Sequence, residues 1–375
     1  MGSIPGQMEA VSISVDSNVV LPFFSSLLSF VFAVLVGDQW LRRRQAYQLV
    51  WTIGLLWYGI SAGTEFLGGA FGWSEPLYRT WYLIGAVFVA GWLGLGTAYL
   101  LARTRFGYAF AVSLLLAGLF TALSQLKYNY ANSGASPLIY FGVAVMVAAA
   151  IVVLTARGDA RWAHVAGATV AIGSAAAAVM AFTAPLAAPG YSLDPQTLIP
   201  TGELMPGYLR LLTPFFNITG AFSLGLGALY SAYVFMPKRR VIRYSLGGRH
   251  SVGSFLWNLA KAPVAIAVNL VASLPGAVAA LFGGRLSSRV PATILIAIGA
   301  TIPAFTSGAN RFGATSAFFV GELLGVVFLL LGFLVSIEVF SDIRLPFTRI
   351  VLARRDRERR AGEDQTAAAR ATAQR

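Results

Sequence analysis

The chain has 375 residues, of which 57% are hydrophobic and 11% charged, with a mean hydropathy of +0.70 and a formal net charge of +13. That balance excludes a soluble globular protein. Because the cations fall between and after apolar runs, they point to membrane topology and anionic lipid, not to nucleic acid.

There is no cysteine and there are two histidines, His164 and His250. Disulfides, iron–sulfur clusters, thiolate metal sites and a thiol nucleophile are therefore excluded. A haem held by two histidines would need both, and His250 lies in a basic block. The spans hold no lysine suited to a retinal Schiff base: Lys127 is at a helix end, and Lys238 and Lys261 are in a cytoplasmic segment. The strong preference for Arg over Lys suggests a bacterial chain.

Several apolar runs reach the ~20 residues that a helix needs to cross a bilayer. In lipid, backbone groups must bond within their own helix. The sequence thus predicts an all-α polytopic helical membrane protein. It has about nine transmembrane helices plus one cytoplasmic-face amphipathic or re-entrant segment.

Residues 1–18 are polar, carry Glu9 and Asp16, and contain no Lys or Arg, so they form an extracytoplasmic tail. A seven-helix block follows over 19–236. Its first span, 19–37, ends at Asp38 before Arg42, Arg43 and Arg44, which pin that end inside. The second, 47–70, carries Trp51, Trp57, Tyr58 and Glu65; the third, 79–101, has Trp81 and Tyr82 at its outer interface. Gly91, Gly94 and Gly96 of the third allow close helix approach. The fourth, 107–126, ends at Gln125 and Lys127, and the fifth, 137–156, runs to Arg157. The sixth, 162–186, is rich in Ala and Gly and is expected to pack against neighbours, not lipid. A Pro-rich outer loop with Asp194 and Glu203 leads to the seventh span, which carries Arg210, Pro214 and Asn217.

A basic cytoplasmic segment, 237–288, opens with Lys238, Arg239, Arg240, Arg243 and Arg249. Residues 251–285 are apolar enough to span, but Pro263 and Pro275 are expected to cut them into short pieces. Asn258, Lys261, Asn269 and Ser273 recur at helical spacing, a polar stripe suited to an interfacial helix. Parity agrees, because a span here would place the Arg-rich tail outside. A two-helix hairpin, 289–343, holds Arg311 in its outer turn and Glu322 between Gly321 and Gly325. Residues 344–375 read as a basic, disordered cytoplasmic tail.

Ionisable groups within a span are functional candidates by default. Glu65, Gln125, Arg210, Asn217 and Glu322 all fall in the outer half of the bilayer, with Lys127 and Arg311 nearby. If their helices adjoin, they form an outward-opening polar pocket on a ligand or ion pathway. No metalloprotease, nucleophile-elbow or phosphate-loop motif is present, so no catalytic residue or metal ligand is assigned.

The expectation is a non-catalytic membrane protein, receptor-like or an accessory subunit, that binds a small ligand or a partner membrane protein from the outer half of the bilayer. The alternative is a transporter or channel for a small solute that uses Glu65 and Glu322. No cofactor is predicted, although a bound lipid, quinone or carotenoid fits the aromatic spans. Seven spans with an outside N-terminus resemble, in architecture only, the seven-helix sensor modules of bacterial receptors. The expected location is the cytoplasmic membrane, with the N-terminus outside and the C-terminus cytoplasmic.

Overall fold

The computed structural model describes residues 17–187, 193, 200, 202–246, 251–283, 286, 287, 289–310, 316–336, 342–344, 346–348 and 351–354. The N-terminal tail to residue 16, Asp194, Arg249, His250, Arg311 and the tail beyond 354 lie outside the described residues.

The protein is an all-α polytopic helical membrane protein. Its helices are α1 (Ser17–Arg43), α2 (Ala46–Phe71), α3 (Glu75–Leu83), α4 (Val89–Leu100), α5 (Gly107–Tyr128), α6 (Ser136–Ala156) and α7 (Trp162–Thr183). They continue as α8 (Gly207–Arg210), α9 (Thr213–Phe235), α10 (Val252–Phe282), α11 (Arg289–Asn310) and α12 (Ser316–Val335). A π-helical turn, Ile84–Phe88, joins α3 to α4 into one span. Among the described residues, nine helical stretches are long and apolar enough to cross a membrane. That set includes α10 and leaves out α2, which is less apolar because its inward face carries Gln48, Thr64 and Glu65. At 26 residues, α2 is still about 39 Å long and packs against α1 and α4. It crosses with them.

Local chemistry sets several helix starts. Ser74 caps α3 by accepting from the Leu77 N–H, and Pro76, Pro137 and Pro214 stand in the first turns of α3, α6 and α9. A proline there costs nothing, since the N–H it lacks would have had no partner in the helix. Pro214 therefore begins α9, which follows the short α8.

Glycines decide how closely the helices approach. A Cβ on Gly220 of α9 would stand 2.1 Å from the Ala90 carbonyl oxygen, and one on Gly94 of α4 would stand 2.4 Å from that of Gly220. Backbone thus crosses on backbone. Gly59 and Gly63 seat Phe30 and Ser26 of α1, and Gly321 and Gly325 seat Thr306 and Pro303 of α11. Both small-residue pairs are close helix contacts. One apolar core lies among α4–α7, a second among α1, α2 and α12, and a third among α3, α7, α8 and α9.

The Ala-rich α7 departs from expectation. It buries one stripe (Ala163, Ala166, Ser174, Ala177, Ala181), while Ile172, Val179 and Phe182 are exposed on the rest. Small residues permit close approach wherever they fall, but only one face of this helix meets neighbours.

The connections 44–45, 101–106, 157–161 and 236–246 share one face. Arg105 donates to the carbonyls of Thr155 and Ala156, and Trp162 Nε1 to that of Ala102. This is the basic face, where Arg42, Arg43, Arg157, Arg161 and Lys238 gather. A short antiparallel ladder, β1 (Asp342–Arg344) and β2 (Val351–Arg354), forms where a disordered tail was expected to begin. The turn between its strands docks on α1: Asp38 Oδ1 accepts from the Phe347 N–H at 2.9 Å, and Arg42 donates to the Thr348 carbonyl.

The prolines do not cut α10, which runs unbroken for 31 residues through Pro263 and Pro275. Each proline forfeits a backbone bond, but Pro263 and Pro275 themselves are exposed on the outer side of the helix, away from its packed stripe. Nor does α10 cross the bundle. Near its start, the Phe255 ring meets Tyr108 at the basic-face end of α5; near its finish, Ala277 clusters with Met236 and Val290, again at the basic face. A helix of about 46 Å with both ends on one face lies along that face.

The polar stripe of α10 holds the preceding segment in an extended strap. Ser273 Oγ accepts from the Arg239 N–H, Asn269 Oδ1 from the N–H groups of Val241 and Ile242, and Asn258 Oδ1 from that of Ser245. Asn269 Nδ2 returns a bond to the Ile242 carbonyl at 2.8 Å. Asn269→Leu removes three of these bonds, each worth about 1 kcal/mol. Trypsin cleavage after Lys238, Arg239 and Arg240 is expected to speed up about tenfold or more; an unchanged rate would show that the strap is held elsewhere.

Burial pushes the Tyr244 hydroxyl of this strap up to about 12. A raised pKa stabilises the protonated form, so the strap keeps this contribution below pH 10 and loses it as pH climbs towards 12. The absorbance difference between wild type and Tyr244→Phe should titrate well above the ordinary tyrosine value.

Candidate functional site

Four of the five candidate residues fall in two places. Glu65 of α2 and Glu322 of α12, from opposite ends of the chain, are brought carboxyl to carboxyl. Glu65 is 3% exposed. Glu322 as a residue is half-buried, but its Oε2 is fully buried.

The trace of α2 explains how Glu65 gets there. Leu55, Tyr58, Ala62 and Glu65 share its buried face, and that face turns towards α12 at the level where Gly321 and Gly325 bring α12 tight against α11. Two further side chains complete the arrangement. Trp81 Nε1 donates to Glu65 Oε1 at 2.9 Å, and the Tyr58 hydroxyl donates to the Glu322 backbone carbonyl at 2.7 Å across 264 residues of sequence. Trp81 lies one turn before the π-helical segment, and Gly85 within that segment fits against Ser61, one turn before Glu65 on α2. Single π-turns of this kind interrupt helices mostly at functional sites.

The electrostatics follow from counting donors and acceptors. An ionised carboxyl only accepts hydrogen bonds. Glu65 Oε2 and Glu322 Oε2 are both buried and meet no donor among the described residues. The two carboxyls adjoin, and two acceptors cannot bond without a proton between them. A buried pair of this kind is costly unless something positive occupies it. Among the described residues no group of three or more His, Cys, Asp or Glu could hold a metal ion. Two free oxygens fall well short of the ~6 ligands of a hard divalent cation. A single proton fits.

The surroundings differ on the two sides of the pair. Towards the basic face lies the second apolar core: Phe32, Trp51, Leu55, Val326, Leu329 and Phe333. Trp51 and Phe32 both meet Phe333 edge-on, at 5.2 and 4.8 Å between ring centres. Towards the opposite face the cover is one aromatic layer. The half-buried Trp73 rests on Gly68 and meets Trp81 edge-on at 5.9 Å.

Gln125 and Arg210 lie at a second place. The Arg210 guanidinium lies 4.2 Å from the centre of the Tyr130 ring. Gln125 Nε2 faces Asn129 Oδ1 at 3.5 Å, and Gln125 Oε1 is buried with no donor. Gly207 N–H bonds the Ala131 carbonyl, and Thr121 Oγ1 the Leu211 carbonyl, so this second cluster joins the end of α5 to α8. Lys127 lies over Tyr128. Asn217 is half-buried on α9.

Trp81 and Tyr58 read in sequence as interface and packing aromatics, yet they contact the two glutamates directly. The available signal was the seven-residue spacing of Tyr58 and Glu65, which puts both on one helical face. Arg79 also went unremarked: it is buried, paired with Glu75 at 2.7 Å, and donates to the Ala181 carbonyl of α7. No protein-family model, curated protein or solved structure matches the chain.

Proposed function

We propose that the protein is a non-catalytic transporter of the cytoplasmic membrane, moving a small solute in exchange or symport with a proton carried between Glu65 and Glu322. The observation that carries this proposal is the meeting of two buried carboxyls whose Oε2 atoms have no donor. Intramembrane carboxyls in such positions form the proton relays of pumps and carriers. The basic face is taken as cytoplasmic, which leaves the N-terminus outside and the C-terminus inside. On this assignment the Phe32–Trp51–Phe333 core lies between the pair and the cytoplasm, and, among the described residues, Trp73 and Trp81 lie on its outer side. No cofactor is needed for this exchange.

The test is transport by the purified full-length chain in liposomes containing a trapped pH dye, with solutes screened one at a time under an imposed pH gradient. A solute-dependent proton flux is expected. If proton movement is absent for every solute and under the imposed gradient alone, the proposal fails.

A second proposal, the receptor-like or accessory subunit, is favoured by the other cluster. There, Gln125 Oε1 is buried without a donor among the described residues, and the Arg210 guanidinium stands over the Tyr130 ring, groups suited to an anionic or amide-bearing ligand. Under this proposal Arg210→Gln abolishes ligand binding, while Glu65→Gln leaves it within about twofold.

A further inference from the structure

We infer that α10 is a membrane-surface helix, sunk in the headgroup layer with its apolar face in the acyl chains, and that the strap along its other side is a binding ledge for anionic phospholipid. The naming of the leaflet, and nothing else in this inference, rests on the assignment of the basic face to the cytoplasm.

Three independent observations carry it. First, α10 lies along one face of the bundle, as its end contacts require. Second, its stripe at Ala262, Ala265, Asn269, Ser273 and Ala277 is buried against the strap and the bundle, while the opposite side is exposed and wholly apolar. Trp257, Val264, Val271 and Val278 recur there every two turns, with Val268 and Phe282 beside them. The one charged residue of α10, Lys261, stands at the edge of that face, where a long side chain can reach the headgroups. An amphipathic helix of this design buries its apolar side about 5–10 Å into the headgroup and acyl boundary. Third, the charge of the region has one sign. Lys238, Arg239, Arg240 and Arg243 are exposed along the strap, and no Asp or Glu occurs between Glu203 and Glu322. Held extended along the polar stripe, these cations cannot collapse onto carboxylates nearby, because there are none in the segment. They face an anionic surface. Apolar insertion and a row of cations together are the two signals that stable surface anchoring requires.

The chain has no native cysteine, so single cysteines can be introduced and nitroxide-labelled in the full-length protein. In discs of phosphatidylcholine and phosphatidylglycerol, labels at Trp257, Val264, Val271 and Val278 should report one common depth within the acyl region. Labels at Lys261 and Ala272 should be shallower. A depth that changes steadily from Trp257 to Val278 means that the helix crosses, and the inference falls. Aqueous exposure at all four, or contact with a second copy or a soluble protein in place of lipid, also overturns it. Spin-labelled phosphatidylglycerol should be enriched around the protein over phosphatidylcholine. The triple variant Arg239→Gln, Arg240→Gln, Arg243→Gln should reduce that preference by roughly fivefold or more. An unchanged preference removes the ledge. A cysteine at Ser245 that labels from outside intact cells would reverse the orientation while leaving the common depth intact, so the two failures are distinguishable.

Discussion

Replacing Glu322 by glutamine is expected to abolish proton-coupled transport and, at the same time, to make the protein more stable. The two effects have one cause. Whenever no proton lies between them, the buried Oε2 atoms of Glu65 and Glu322 have no donor among the described residues. Leaving a buried polar group unsatisfied costs about 1–3 kcal/mol. Glutamine supplies an N–H₂ group to Glu65 in nearly the same volume, so the mismatch disappears and the melting temperature rises. The same change removes one of the two proton carriers. Flux should fall roughly 10²-fold or more, the range over which a positioned proton-transfer group usually contributes. Glu65→Gln should lose transport equally, since its amide oxygen still accepts from Trp81 but carries no proton. Trp81→Phe should show a smaller defect, because it removes a hydrogen bond to Glu65 Oε1 and leaves both carboxyls in place. Transport retained in either glutamine variant sinks the coupling proposal. A less stable Glu322→Gln protein would mean that the two carboxyls do not meet.

Gly220→Ala is expected to be the most damaging single-methyl change in the bundle. The new Cβ would stand 2.1 Å from the Ala90 carbonyl oxygen and 2.7 Å from the Gly91 nitrogen, both backbone atoms of the facing helix. A side chain could rotate away, but a helix backbone cannot, so α4 and α9 must separate along their crossing. Overpacking of this kind costs about 1–3 kcal/mol and occasionally more, and this site belongs at the upper end. The same crossing carries Phe216 on Gly91 and Thr97 on Gly227, so separation loosens several contacts at once. Gly225→Ala, on the same helix, is the control. Nothing lies within 4 Å of its Cβ position, and the exchange should be neutral or stabilising by up to about 1 kcal/mol, the helix-propensity gain. Thermal unfolding in detergent, followed by the loss of the monodisperse peak, separates the two. Equal stability of the two variants would show that the α4–α9 crossing is looser than described.

Much of the fold is legible in the sequence because the bilayer imposes simple rules. Runs such as 136–156 must be helical to satisfy their own backbone, and clusters such as Arg42–Arg44 mark the end that stays on the basic face. Gly91 and Gly94 of the third span read correctly as places of close helix approach, since α9 packs on both. Composition misled for α7, because alanine tolerates lipid as readily as a helix neighbour. The prolines misled for α10, because a helix can pass through a proline whose lost bond lies on its outer side.

By itself, the sequence determined that this is an all-α membrane protein, where its long helices fall, that most of its cations collect on one face, and that Glu65 and Glu322 are out of the ordinary. Only the tertiary structure decided which polar groups meet. Hydropathy and spacing act along one helix, whereas the carboxyl pair depends on how α2 and α12 are set side by side. It likewise parted Gln125 and Arg210 from the glutamates and laid α10 along the basic face under its own strap. Those outcomes depend on contacts between residues far apart in the chain, made where glycines and small side chains let one helix come within reach of another.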